Sequence, residues 1–205
     1  MARSERLRRR RPFREPRRRI LIVCEGEKTE PGYFGGLRHR WRSLVELIVS
    51  PGGTPKTFVE RAVELKREAA RDATREQDDN LLYDEIWCVF DIDEHPLVPE
   101  AIEQARANGI SLSVSNPCFE LWVVLHFQDQ RRHIERGRVQ SLCRRHLPGY
   151  EKVVPCEKLL PHYEDAVRRA MELAAWQQAQ GRPRGNPSTD VHLLTERIRA
   201  YGQPR

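Results

Sequence analysis

Short, unbroken apolar runs alternate along the chain with stretches of helical periodicity. Residues 20–24 (ILIVC) and 86–90 (IWCVF) are apolar without a gap. Runs this short fit strands buried on both faces of a parallel sheet. Residues 44–49 form another apolar run, closed by the loop signal Ser50-Pro51-Gly52-Gly53, and residues 110–114 predict a further strand. After Glu25-Gly26, Thr29 suits an N-cap and Pro31 the first turn of a helix through Tyr33, Phe34 and Leu37. Thr54-Pro55 opens a second helix, with Phe58, Val59, Ala62, Val63, Leu65 and Ala69 at mostly helical spacing to about residue 72; residues 75–80 read as a loop. Residues 99–107 predict a short helix stopped by Asn108-Gly109, and residues 118–127 (CFELWVVLHF) a strongly apolar one. This alternation argues for a three-layer α/β domain with a mostly parallel sheet.

After Phe127 the pattern changes. Residues 128–138 are polar and linker-like, 133–147 predict a helix, and 156–180 predict one long helix. Asn186-Pro187-Ser188-Thr189 is expected to cap a last helix carrying Val191, Leu194 and Ile198. The expected organisation is a disordered arginine-rich tail over 1–19, an α/β core over 20–127, and C-terminal helices over 128–205 packed on that core.

Charge divides at the same first boundary. Residues 1–19 hold ten arginines and two glutamates, a balance of +8, whereas the whole chain carries +6, leaving −2 for the rest. Arg8, Arg9, Arg10, Arg11, Arg17, Arg18 and Arg19 are therefore candidates for nucleic-acid contact, salt-dependent and largely independent of sequence. The alternative is a solvated arm. The five cysteines are odd in number and form no CxxC pair, which argues against a disulfide framework. No apolar run approaches the roughly 20 residues that span a bilayer, and no signal-peptide segment follows the basic start, so no membrane contact and a cytoplasmic location are expected.

The candidate chemistry is acidic. Glu25 follows the first strand and Asp91-Ile92-Asp93 follows the strand at 86–90. Ligand sites in parallel α/β sheets form beyond the carboxyl ends of strands. Asp91 and Asp93 are two apart, so an extended backbone turns both carboxylates to one side. Carboxylates forced together repel unless a cation joins them, and hard oxygen donors suit Mg²⁺ or Mn²⁺. Each acid also has a plainer role as a solvated group or helix cap. Glu27 and Glu30 either join the site or favour a helix N-terminus. Lys28 either neutralises a phosphate or stays in solvent. Glu120, set among Phe119, Leu121 and Trp122, is a further metal ligand, an arginine's partner or a cap. His126 reads as a satisfied, partly buried histidine.

Together ILIVCEGEKTEPGYF, IWCVFDIDEH, SNPCFELWVVLHF and the late NPSTDVHLL resemble the RloB-like family, over most of residues 20–195. Such proteins look like members of the Toprim group, in which a strand-end glutamate and a DxD organise Mg²⁺. The resemblance implies a Toprim-like fold, with Glu25 as that glutamate and Asp91 and Asp93 as the DxD. Glu30 or Glu27 would match a further acidic residue of related nucleases. It also implies antiphage defence or restriction loci, often with an ATPase partner. The chain has no GxxxxGK[ST] stretch, so that ATPase would be a separate chain.

A topoisomerase tyrosine, a DNA gate and the template-handling domains of a primase are not found, which leaves hydrolysis as the simplest chemistry. The leading expectation is a Mg²⁺-dependent nuclease acting on DNA or RNA, possible substrates including tRNA. Its catalytic set is Glu25, Asp91, Asp93 and Glu120, and its metal set Glu25, Asp91, Asp93 and Glu30. One alternative is a non-catalytic nucleic-acid-binding or sensor subunit. Another is a haloacid-dehalogenase-like phosphatase read from VFDID, in which Asp91 would be the nucleophile and Glu25 would have no role.

Overall fold

The computed structural model describes residues 17–92, 98–151 and 153–202. The apolar runs form β1 (Arg19–Cys24), β2 (Leu44–Val49), β3 (Glu85–Asp91) and β4 (Ser111–Asn116), all parallel. A two-residue strand, β5 (Ser188–Thr189), joins β4 antiparallel, and the order is β2-β1-β3-β4-β5. The chain is thus α/β with a mostly parallel sheet.

Alternate residues of the central strands feed two cores, as the period of a strand requires. Ile20, Ile22, Cys24, Trp87 and Val89 face one layer. There they meet α1 (Thr29–Trp41), α4 (Glu120–Leu125), α5 (Arg136–His146), α6 (Cys156–Leu159), α7 (Tyr163–Ala179) and α8 (Val191–Ala200). Leu21, Val23, Ile86, Cys88 and Phe90 face the other, against α2 (Pro55–Glu76) and α3 (Val98–Ala107). Trp122 of α4 is fully buried; its truncation to Ala would cost about 3–5 kcal/mol. All five cysteines are buried and free. No helix among the described residues is long and apolar enough to cross a membrane.

Several local expectations are corrected. The helix expected over 156–180 divides into α6 and α7 around a 3₁₀ turn at Leu160–His162, because Pro161 supplies no amide to the helical ladder. Residues 133–135 precede α5 rather than belong to it. The α-helical part of 118–127 is only Glu120–Leu125; tighter i→i+3 bonds, such as Leu121 N to Cys118 O, hold its flanks. Helix α2 runs on to Glu76, and a 3₁₀ turn occupies Asp79–Leu81. Thr29 lies inside α1, whose N-cap is Lys28, whereas Thr54 does cap α2, its side chain accepting from the Thr57 amide at 3.3 Å. Ser188 and Thr189 are strand, and Asp190 takes the N-cap of α8.

Topology places the site. The chain moves from β1 outward to β2, then crosses back over β1 to add β3. The reversal opens a crevice beyond the carboxyl ends of β1 and β3, the usual ligand position in such sheets.

Candidate active site at the carboxyl edge of the sheet

Glu25 leaves β1 with its amide bonded to Val89 O at 3.1 Å, so it stays in register with β3. Its carboxylate Oε2 accepts from the Asp91 amide at 3.4 Å. Asp91 closes β3, opposite Ser115 of β4. Its side chain is 13% exposed, and Oδ2 pairs with Arg136 Nη2 at 3.1 Å.

Glu30 stands in the first turn of α1 and is buried. Its carboxylate lies over the α carbon of Gly26: a β carbon built there would be 1.9 Å from Glu30 Oε2. A glycine at 26 is what lets Glu30 fold back onto the turn. Glu120, in the first turn of α4, is also buried. Its Oε1 accepts from Tyr150 Oη at 3.1 Å and weakly from Gln140 Nε2 at 3.5 Å. Among the described residues no arginine or lysine is within ion-pairing distance of Glu120, and its side chain does not cap α4.

These groups line a cavity of about 450 Å³ with Gly26, Glu27, Lys28, Phe119, Arg136 and Gln140. Glu27 and Lys28 are exposed on its rim. Burial pushes the Glu30 carboxyl up to about 7, aided by the charges of Glu120 and Glu25 and opposed by its own backbone amide and Arg136. Asp91 is pushed well above the usual carboxylate range by burial and by Glu30, Glu120 and Glu25, with Arg136 opposing. Glu30 and Asp91 thus feel the charges of Glu25 and Glu120, although no three His, Cys, Asp or Glu side chains among the described residues are gathered as ligands of one metal. Hard oxygen donors that hold excess negative charge out of water are the donor set a divalent cation stabilises, so the residues present fit Mg²⁺ or Mn²⁺.

Asp93 and Arg8 to Arg11 lie outside the described residues. Arg17, Arg18 and Arg19 sit at the opposite end of the sheet: Arg19 opens β1, roughly 20 Å from Glu25 by strand rise. The Arg19 guanidinium turns into the fold, bonding Asn80 O, Leu81 O and Glu46 and lying over the Tyr83 ring. Arg18 bonds Tyr201 Oη at 3.0 Å. His126 is buried, its Nδ1 2.9 Å from Trp122 O, and burial lowers its pKa to about 4.

Sequence reasoning missed Arg136, Gln140 and Tyr150, and read Asn186 only as part of a helix cap. Asn186 accepts from the Ile134 amide at 3.0 Å and donates to Ile134 O at 2.9 Å, which fastens the approach to α5 two residues before Arg136. Asn116 similarly donates to Arg184 O at 2.9 Å. The two Asn-Pro pairs were the available signal, one at the end of β4 and one before β5.

The model of the family described as RloB-like protein matches residues 20–198. No curated protein and no solved structure matches the chain.

Proposed function

The chain belongs to the RloB-like family, and from that membership and the cavity's chemistry we propose that it is a Mg²⁺-dependent, Toprim-type nuclease hydrolysing phosphodiester bonds in DNA or RNA. One observation carries the reading: Glu30 and Asp91, both pushed up by burial, meet Glu25 and Glu120 in one cavity where the strand order reverses. Such perturbed acids in a cleft mark functional sites more often than structural ones.

Glu25 and Asp91, with Asp93, would hold Mg²⁺ or Mn²⁺, and Glu30 or Glu120 a second ion. When bound, the metal polarises a phosphoryl oxygen and lowers the pKa of a water. The protein's own groups do the rest. Where Glu120 holds the second ion, Glu30, its carboxyl pushed up to about 7 by burial, can take the proton of an attacking water and pass it to the leaving oxygen. Tyr150 and Gln140 hold the Glu120 carboxylate in one orientation. Arg136, 44% exposed at the cavity edge, can follow a phosphate while remaining near Asp91. A role in antiphage defence and a separate ATPase chain belong to the same proposal, on the family resemblance.

A nucleic-acid-binding or sensor subunit without chemistry is the second reading. It is favoured by the Asp91–Arg136 pair, in which an arginine already offsets the acid that a cation would need.

Cleavage of DNA and of tRNA with Mg²⁺ or Mn²⁺ tests the proposal on wild type, Glu25→Gln and Asp91→Asn. Loss of at least about 100-fold in both variants is expected. Equal rates in the three proteins would reject the site.

A further inference from the structure

Helix α5 reads RGRVQSLCRRH: four arginines, one histidine and no acid in 11 residues. Some helical arginines elsewhere come with their counter-charges. Arg61 pairs with Glu64, Arg75 with Asp72, and Arg168 with Asp165 and Glu172. In α5, Arg138, Arg144 and Arg145 have no described carboxylate within ion-pairing distance. The helix therefore carries positive charge that the fold does not neutralise, although it borders an acidic cavity.

Arg136, Gln140 and Arg144 follow at intervals of four and share one face of the helix. Three adjoining hollows lie along that face. Arg136 and Gln140 line the central cavity with Asp91. Gln140 and Arg144 line a second, with Glu120 and Tyr150. Arg136 also lines a third, with Asn116, Pro117 and Asn186. Shared walls make them one trough. From Arg136 to Arg144 the helix rises about 12 Å, with a donor roughly every 6 Å, comparable to the separation of successive phosphates along one strand.

Resting on the nuclease reading for its substrate class, we propose that this face of α5 is the ridge on which one polynucleotide strand docks. Arg144, Gln140 and Arg136 take consecutive phosphates and lead one of them to Asp91. The two arginines of this face are complementary in charge to a phosphate strand, and all three side chains end in N–H donors. Phosphate contacts of this kind position a strand without reading its bases. The glutamates on the trough's other wall keep the strand from settling off the ridge. Arg144 is thus a positioning residue outside the chemistry.

The test is binding of the full chain to a fluorescein-labelled thymidine homopolymer, and to a uridine homopolymer, by anisotropy in EDTA over a KCl series. Arg144→Gln is compared with Arg145→Gln, which removes the same charge from the same helix but off the trough. Both positions are exposed, and a melting curve checks that both variants are folded. Arg144→Gln should weaken binding at least about fivefold and reduce the slope of log K against log salt by about 0.7. Arg145→Gln should leave the slope unchanged. Equal effects of the two variants, or no effect of Arg144→Gln, would overturn the ridge. Because EDTA removes the metal, an altered slope in a protein that never cleaves keeps the ridge and sinks the nuclease. An unaltered slope in a protein whose cleavage is lost with Asp91→Asn does the reverse.

Discussion

Arg136 Nη2 stands 3.1 Å from Asp91 Oδ2, so a residue of α5 holds the charge at the end of β3. A divalent ion at Asp91 has to compete with that guanidinium. Arg136→Gln should therefore bind Mn²⁺ several-fold more tightly, on the order of 1 kcal/mol, a small value because the arginine is 44% exposed. Calorimetric titration checks the sign. If Arg136 also follows a phosphate, the same variant cleaves more slowly while binding metal better.

Two glycines of similar crowding should respond differently. At Gly26 an added methyl meets the end of the Glu30 side chain, which can swing away. At Gly36 it meets the Cys156 β carbon at 2.6 Å, and α1 and α6 must separate. Gly36→Ala should lose about 1–3 kcal/mol in urea unfolding. Gly26→Ala should keep most of its stability and lose metal affinity, because the Glu30 carboxylate is displaced from the cavity.

Asn186→Ala removes both bonds to the Ile134 backbone. A cost of about 1–2 kcal/mol is expected. Hydrogen exchange is the more specific readout: the Ile134 amide should lose protection, followed by the first turn of α5, while β1 and β3 remain protected.

Acid should act on His126. Its folded pKa of about 4 lies below the ordinary 6.5, so the neutral ring is the form the folded state prefers. The stability this contributes is fully present above pH 6.5 and is lost as pH falls toward 4, in all about 3 kcal/mol. Glu30 has the opposite sign, since its raised pKa favours folding in acid and that contribution is lost as pH rises through about 7. Unfolding free energies of wild type and His126→Gln should therefore be compared from pH 7.5 down to 4. The carboxylate contributions cancel in the difference, and the gap between the two proteins should narrow toward acid.

The parts of this fold legible in the sequence are those where one physical demand acts alone. Strands β1 and β3 are buried on both faces, and nothing but consecutive apolar residues satisfies that, so both were visible, as were Glu25 and Asp91 at their ends. Strand β5 is two residues long and has no period to detect. Pro161 breaks the helix expected over 156–180, and apolar spacing alone, which continues on either side of it, does not register the break. Arg136 and Gln140 reach the cavity from a polar helix distant in sequence, where they look like any solvated face, and Tyr150 reaches Glu120 from the loop after that helix. The basic run drew attention to the chain's start, while the cationic surface beside the cavity lay in α5, where four arginines are spread over 11 residues.

Strand β5 and Asn186 also set an order of events during synthesis. The acids of the cavity are translated between residues 25 and 120, yet the residue that fastens α5 comes 52 positions after the segment it holds. A nascent chain halted before residue 186 carries every described carboxylate of the cavity, with the approach to α5 at Ile134 unfastened and β4 still an open edge. The groove would then mature only after residue 186 has been made. For a protein proposed to cut nucleic acid, an unfinished copy still attached to the ribosome and its RNA would lack that fastening beside the proposed docking helix.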